Sequence, residues 1–343
     1  MKHHLNTLFV TTQGSYLSKE GEAVRVMVGK ETKLRVPIHT LGGIVCFGQV
    51  TCSPFLLGLC GERGVAVSLL SENGRFLARV HGFTQGNVLL RRAQYRRADD
   101  PEGATAVARA MVSAKLANSR TVLLRALRDH PGKGDPAAVQ TAAAVLDRSI
   151  GDAQRSPGLD HLRGVEGDAA RVYFGVFDHL LTAQKEDFAF HDRSRRPPLD
   201  NLNALLSFLY VMLAHDARSA CEAAGLDPAV GFLHRDRAGR PGLALDLMEE
   251  FRAFIADRLA LSLINRQQVK ASGFTRTASG GIRMDDDTRK TVLVAYQKRK
   301  LEELRHPFLG EGTTVGLLPH LQARLLARFL RGDLDGYPAF IWR

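Results

Sequence analysis

The chain has few cysteines, one tryptophan and no long apolar run, and each scarcity argues against a class of protein. No two of the four cysteines have the CxxC spacing of a zinc site, so we expect buried free thiols in a reducing cytoplasm. They are Cys46, Cys52, Cys60 and Cys221. Residues 1–5 lack the apolar core of a signal peptide. No run is long enough to span a bilayer, so we expect a cytoplasmic protein without a membrane partner.

Lysine is also scarce: 11 lysines accompany 36 arginines in a chain of 343 residues with a formal net charge of +11. Arginine presents a planar pair of donors that matches a phosphate group. A basic, arginine-rich chain is therefore typical of a nucleic-acid-binding protein. A genome that favours arginine codons would produce the same composition, so charge alone leaves both interpretations open.

Residues 1–85 have the pattern of a small β domain. Residues 23–28 and 33–38 alternate apolar and polar side chains with the period of a half-buried strand. Further short apolar runs predict strands at residues 5–10, 44–47, 65–70 and 76–80. Glycines at 42–43, 48 and 74 predict turns between them. Ser53 and Pro54 predict the start of one short helix over residues 54–63.

Residues 86–343 have the composition of a helical domain. Good helix formers with few breakers occupy residues 87–97, 104–129 and 136–150, and helices dominate from about residue 161. Residues 195–198, 235–241 and 271–283 are predicted loops. The sequence thus predicts an α+β protein, in which a small β-sheet or sandwich domain precedes a larger all-α domain.

Three stretches hold acidic or imidazole groups that could perform chemistry. Glu166 lies between small residues that leave room for a ligand, and His234 ends an apolar run. Asp246, Glu249 and Glu250 are spaced to share one helix face. Each has an ordinary alternative: a solvated carboxylate near a helix start, a structural histidine and a solvated acidic face. Together they suit a hard divalent cation, Mg²⁺ or Mn²⁺, in a basic protein that binds phosphodiesters.

Four motifs follow one another along the chain: EGDAA at residues 166–170, RRPPLDNLNALLSF at 195–208, GFLH at 231–234 and LALDLMEEFR at 243–252. In this order they resemble the universal CRISPR-associated integrase family, also described as the CRISPR adaptation endonuclease, and most closely its type I-C branch. The resemblance extends over nearly the whole chain, including GGIVCFG at residues 42–48.

The resemblance implies a metal site formed by Glu166, His234 and Glu249, with Asp246 as an assisting acidic residue. Some relatives have aspartate where this chain has Glu249, and the carboxylate is kept. It also implies a homodimer, two of which flank a dimer of a small ferredoxin-like CRISPR-associated partner. This heterohexamer would insert short foreign DNA at the leader end of a repeat array, by attack of a 3′ hydroxyl on a repeat phosphodiester.

Several other residues are candidate contacts to double-stranded DNA. Arg195 and Arg196 could hold phosphates or pair with acidic residues at a domain contact. Asn203, Ser207 and Tyr210 share a helix face that could line the catalytic cleft, or form an ordinary polar stripe. Lys270, Arg276, Arg283, Arg289 and Lys290 add positive charge near Gly280 and Gly281, where a solvated surface is the alternative. Tyr337 and Trp342 are expected to fix the C-terminal residues.

Two other functions compete with the integrase. A non-catalytic nucleic-acid-binding scaffold could share the fold, although it would not need Glu166, His234 and Glu249 together. A metallohydrolase acting on small molecules could use the same ligands, but it would not need a broadly basic surface.

Overall fold

The computed structural model describes residues 6–72, 76–80, 82 and 88–342. Internal packing divides the chain into two compact units. The first combines Met1–Gly86 with Arg289–Gln297, and the second combines Asn87–Thr288 with Lys298–Arg343. The expected turn at Gly74, the first residue of the strand at 5–10, the first residue of the helix at 87–97 and the expected domain boundary at 85/86 lie outside the described residues.

The described part of the first unit begins with two four-stranded sheets and one short helix. The elements are β1 (Asn6–Val10), β2 (Ser15–Glu20), β3 (Ala23–Val28), β4 (Glu31–Pro37), β5 (Leu41–Phe47), β6 (Thr51–Cys52), α1 (Pro54–Glu62), β7 (Ala66–Leu70) and β8 (Phe76–Val80). One sheet has the order β1-β5-β7-β8, and the other has the order β4-β3-β2-β6. The expectation of a small N-terminal β-sheet region is confirmed.

An apolar core holds these sheets together. It includes Leu17, Ile44, Leu56 and Val67, all fully buried. The helix α1 begins as its sequence predicts, because the Ser53 hydroxyl accepts a hydrogen bond from the Leu56 amide at 3.2 Å. The expected burial of free thiols is confirmed for three cysteines, while the fourth is half-buried; the buried three are Cys46, Cys60 and Cys221.

Three details of this unit differ from the sequence-based expectation. The half-buried strand expected at residues 33–38 corresponds to the edge strand β4, in which every residue except Val36 is exposed. Gly42 and Gly43 lie inside β5 rather than in a turn, because β5 pairs with strands on both sides. The strand β2 was not predicted, since SYLSKE has only a partial apolar alternation. Its Leu17 is nevertheless fully buried between β3 and β6, and long-range pairing therefore decides the conformation of this segment.

The second unit is mainly helical. Its helices are α2 (Val88–Asp99), α3 (Pro101–Asp129), α4 (Pro136–Gln154), α5 (Leu159–Gly175), α6 (Asn201–Ala223), α7 (Gly242–Glu249), α8 (Arg258–Asn265) and α10 (Leu318–Leu330). The helix α9 (Asp286–Leu301) contributes its middle residues to the first unit. A π-helical turn, Arg252–Asp257, lies between α7 and α8. No helix in the described part of the chain has an apolar stretch of the length that a bilayer crossing requires.

Two short hairpins correct the expectation that this unit is all-α. They are β9 (Phe274–Arg276) with β10 (Ile282–Met284), and β11 (Glu303–Arg305) with β12 (Gly312–Thr314). The first hairpin lies in the segment predicted as a loop. It closes because Gly280 adopts a φ of +81°, which a glycine reaches without steric strain.

The helix α3 is the framework for the candidate site. It begins at Pro101, where the Asp100 carboxylate caps the amides of the first turn, and it continues for 29 residues. Along this length it packs against α4, α5, α7 and the π-helical turn. Residues far apart in the sequence can therefore meet along one helix.

Candidate metal centre

Lys115, in the middle of α3, joins two of the three residues expected to bind metal. Its Nζ forms an ion pair with Glu166 Oε1 on α5, and a second ion pair with Glu249 Oε2 on α7 at 2.8 Å. The Lys115 side chain is 11% exposed and the Glu249 side chain 6%. The ammonium group therefore lies between two carboxylates in a largely dry environment, where charge pairing is strong.

A second cation approaches Glu249 from the following turn. Arg252 Nη1 donates to both carboxylate oxygens of Glu249, at 2.8 and 3.1 Å. Burial alone would raise the pKa of Glu249, but the charges of Arg252 and Lys115 outweigh it and hold this pKa well below its usual range. Glu249 is therefore ionised at any physiological pH, with Lys115 and Arg252 as its present partners.

His234 is oriented by a buried aspartate. Its Nδ1 lies 2.5 Å from Asp246 Oδ1, and the Asp246 side chain is fully buried. A carboxylate beside Nδ1 favours the tautomer with the proton on that nitrogen. Nε2 then keeps its lone pair, and it has no hydrogen-bond partner among residues 6–72, 76–80, 82 and 88–342. This is the state in which histidine binds metal.

The same aspartate also fixes the backbone on which His234 lies. Asp246 accepts hydrogen bonds from three consecutive amides, those of Phe232 at 2.6 Å, Leu233 at 2.9 Å and His234 at 3.0 Å. A glycine is required just before them, because a Cβ at Gly231 would lie 2.7 Å from Asp246 Oδ2. The GFLH motif is therefore a loop wrapped around one carboxylate.

The side chains of Glu166, His234 and Glu249 are of the types that bind a divalent cation, although they are not close enough together to form a metal cluster. Among the residues that the structure describes, no three carboxylate, imidazole or thiolate groups are close enough to hold an ion by themselves. The Lys115 ammonium shows, however, that Glu166 and Glu249 converge on a positive charge. Two carboxylates and an imidazole with a bare Nε2 are ligands that Mg²⁺ or Mn²⁺ accepts.

Glu249 and its neighbour Glu250 have opposite environments. Glu250 is fully buried on the other side of the chain, among neutral donors from Gln322, Tyr337 and the Phe340 amide. Burial raises the pKa of Glu250 to about 7. The acidic pair that the sequence places on one face is thus divided between a charged site and a neutral hydrogen-bond network.

A small cleft lies beside the ion pairs, and its walls include Lys115, Arg252 and Tyr210. Tyr210 donates to Asp257 Oδ1 at 2.5 Å, and Tyr173 donates to Asp257 Oδ2 at 3.1 Å. The Arg252 guanidinium carbon lies 4.3 Å from the centre of the Tyr210 ring. The two tyrosines and Asp257 therefore hold Arg252 in the position from which it contacts Glu249.

The polar face of α6 lies inside the protein rather than on its surface. Asn203 is fully buried, and its Oδ1 accepts hydrogen bonds from Arg193 and from the Ser194 amide. Ser207 accepts a hydrogen bond from the same guanidinium at 3.1 Å. Only Tyr210 of this predicted group lines the cleft. Asn203 and Ser207 bind the Arg193 guanidinium, and Tyr210 binds Asp257. Direct contact of Asn203 with DNA would require its hydrogen bonds to Arg193 and Ser194 to break.

The basic candidates for DNA contact differ in exposure. Most of them are exposed: Arg195, Arg196, Lys270, Arg276, Arg283 and Lys290. Arg289 is 7% exposed and belongs to the segment that packs with the first unit. Arg289 is therefore buried in this structure, and its expected contact with DNA stays a prediction.

Lys115 is the site residue that the sequence-based reasoning missed. The available signal was local: residues 111–116, MVSAKL, contain a single charge among small and apolar residues. Its partners are 51 and 134 positions away in the chain, so the ion pairs themselves could not be derived from spacing.

Comparisons with known proteins agree with this architecture. The family model described as "CRISPR associated protein Cas1" matches residues 8–298. The chain is 57% identical to "CRISPR-associated endonuclease Cas1 1" of Chlorobaculum tepidum over the full length of both proteins. Two solved structures share the fold. "Casposase bound to integration product" has a TM-score of 0.84 and 22% identity, covering 99% of this chain and 95% of that chain. "Cas6-RT-Cas1--Cas2 complex" has a TM-score of 0.82 and 23% identity, covering 100% of this chain and 36% of that chain.

Proposed function

Because the chain belongs to the Cas1 family of CRISPR-associated proteins, we propose that it is a metal-dependent DNA endonuclease and integrase of spacer acquisition. The observation that carries this proposal is the convergence of Glu166 and Glu249 on a buried positive charge. A scaffold protein would have no reason to bury such a cluster, since it costs desolvation free energy.

In this proposal Glu166, His234 and Glu249 hold Mg²⁺ or Mn²⁺. The bound ion would stabilise negative charge on the phosphoryl oxygens of the DNA. The chain's own residues prepare the ligands. Asp246 retains the Nδ1 proton of His234 and presents Nε2, while Arg252 keeps Glu249 ionised and in place.

The proposed reaction is a transesterification on double-stranded DNA. The 3′ oxygen of a short foreign DNA forms a bond to phosphorus in the repeat, and the repeat's own 3′ oxygen leaves as a hydroxyl. The structure titled "Casposase bound to integration product" has the same fold, which supports this class of reaction. The exposed Arg195, Arg196 and Lys270 would hold phosphates on either side of the reacting bond.

The proposed assembly is a homodimer that binds a second CRISPR-associated protein. Two homodimers would flank a dimer of the small ferredoxin-like partner, with the N-terminal β unit making dimer and partner contacts. A solved structure of the same fold is titled as a complex that contains Cas2, in agreement with a protein partner. We also assign the chain to the type I-C branch, and place it in the cytoplasm with the array it would extend.

Strand transfer in vitro tests this function. Labelled short duplex DNA and a plasmid bearing leader and repeat are incubated with Mg²⁺ or Mn²⁺ and the partner. We expect joining that EDTA abolishes and that Glu166→Ala or His234→Ala lowers at least 1,000-fold, on the order of the loss of a catalytic group. DNA affinity and dimerisation should stay unchanged. The exposed Glu186→Ala is the matched control and should join DNA at the wild-type rate.

Two results would contradict the proposal. If wild type binds DNA tightly but joins none with the partner present, the scaffold function is favoured. If DNA affinity does not fall steeply with salt, phosphate binding is absent, and a hydrolase acting on small molecules is favoured.

A further inference from the structure

The last described residues of the chain are bonded to two of the helices that carry the site, α3 and α7. The Trp342 amide donates to Asn118 Oδ1 at 2.7 Å, and Asn118 Nδ2 donates to the Phe340 carbonyl at 2.8 Å. The Phe340 amide donates to Glu250 Oε2 at 2.6 Å. Asn118 lies on α3, one turn after Lys115, and Glu250 directly follows Glu249 at the end of α7.

Asn118 also joins the two helices directly. The same Nδ2 that binds the Phe340 carbonyl donates to the Glu250 carbonyl at 2.7 Å. Asn118 is fully buried, so no water replaces these bonds if they break. The helices α3 and α7 are therefore bridged twice, by Lys115 and Glu249 at the site and by Asn118 and Glu250 behind it.

Side chains of the same segment and of α10 complete the contact. Tyr337 donates to Glu250 Oε1 at 2.5 Å, and Gln322 Nε2 lies 3.0 Å from Glu250 Oε2. The Phe340 ring packs on Phe251, with ring centres 5.5 Å apart. All five of these side chains are buried. Burial of the aromatic rings alone could hold the segment in place, without any hydrogen bonds. The hydrogen bonds instead converge on Asn118, one turn after Lys115, and on Glu250, which directly follows Glu249.

We propose that residues 337–342, the clasp segment, position the catalytic site by fixing α3 against α7 through Asn118 and Glu250. The clasp segment acts through the separation between the Lys115 and Glu249 side chains. This inference rests on the proposed function for its activity measurement, but not for its structural measurement.

The test compares Asn118→Ala with Asn265→Ala in the otherwise complete chain. Asn265 is a matched control, because its side chain also bridges two backbone groups, the Leu180 carbonyl and the Thr182 amide, away from α3 and α7. For Asn118→Ala we expect a fall of about 10- to 100-fold in the strand-transfer rate at saturating DNA, the range seen when a residue behind a metal ligand is removed. The DNA dissociation constant should not change. Asn265→Ala should retain the wild-type rate per folded molecule.

Hydrogen exchange supplies a measurement that needs neither metal nor activity. Amides of residues 247–250 should exchange at least about tenfold faster in Asn118→Ala than in Asn265→Ala, because their helix has lost its bridge. If wild type joins no DNA but exchange behaves as expected, the proposed function fails and the clasp stands. Equal exchange and equal rates in the two variants would overturn the clasp.

Removal and return of the segment give a second test. A variant ending at Gly336 should lose activity, and a synthetic peptide of residues 336–343, GYPAFIWR, should restore at least part of the rate when added in excess. A peptide of the same composition in scrambled order is the control. A folded truncated protein with the wild-type rate, or one that neither peptide rescues, would overturn the proposal. If truncation prevents folding, the Asn118→Ala comparison decides.

Discussion

The two units bury different chemistry. Between residues 7 and 72, every buried polar side chain belongs to a serine, and the rest of that core is apolar. The helical unit instead buries Lys115, Asp246, Glu249, Glu250 and Asp257. Buried charges cost desolvation free energy that pairing only partly returns, so a chain selected for stability alone would not keep them. The β unit is stabilised by an almost entirely apolar core. The helical unit keeps buried charged residues that cost stability, which indicates that they serve a function.

The largest effect should follow from removing a carboxylate from the charged cluster. Glu249→Ala leaves Lys115 and Arg252 buried without their common partner. We expect unfolding to become easier by about 3–5 kcal/mol, as measured by urea denaturation at pH 7. Asp152→Ala removes an exposed ion pair to Arg155 and should cost less than about 1 kcal/mol. A similar small loss in both variants would show that the cluster is hydrated rather than buried.

A smaller effect, confined to stability, should come from the apolar core of the β unit. Leu17 is fully buried in the interior strand β2. Leu17→Ala should lower the free energy of unfolding by about 2–5 kcal/mol through lost burial and a cavity. Strand transfer per folded molecule should not change. Leu34→Ala, on the exposed edge strand β4, is the control and should have little effect. A changed strand-transfer rate per folded molecule in the Leu17 variant would show that the β-unit core affects activity as well as stability.

The smallest effect should appear as a pH dependence of stability. Burial raises the pKa of Asp257 above its ordinary value of 3.8, although the Tyr210 hydroxyl and Arg252 oppose the shift. The folded chain thus binds this proton more tightly than the unfolded chain. Its contribution to stability is full below about pH 3.8 and is lost as pH rises through the raised pKa.

Asp257→Asn should remove that contribution. Melting temperatures measured at intervals from pH 3.5 to 7 should fall less with rising pH in the variant than in wild type. Parallel curves for the two proteins would show that Asp257 has the same pKa folded and unfolded.

The sequence predicts local features better than it predicts contacts between residues that are far apart in the chain. The N-cap of α1 and the position of strand β3 depend on neighbouring residues, and both predictions are confirmed. The strand β2 depends on pairing with β3 and β6, and it was not predicted. The family resemblance supplies Glu166, His234 and Glu249 as metal ligands, and these assignments stay predictions. The role of Asn118 has no local signal, because its three bonds reach residues 132 to 224 positions away.

The π-helical turn could not be foreseen for a related reason. Residues 252–257, RAFIAD, are compatible with an ordinary α-helix. The wider turn is stabilised by what its residues reach, Glu249 for Arg252 and the two tyrosines for Asp257. Such turns often occur at functional sites, where tertiary contacts outweigh the regular hydrogen-bond ladder.

The loop around Asp246 has a consequence for the entropy of ligand binding. Three consecutive amides and the imidazole of His234 are all tied to one buried carboxylate. The rotamer freedom of that imidazole is therefore lost when the chain folds, and little remains to be lost when a ligand arrives. Binding at Nε2 should show a more favourable entropy than binding at a free histidine, because the ordering has already taken place.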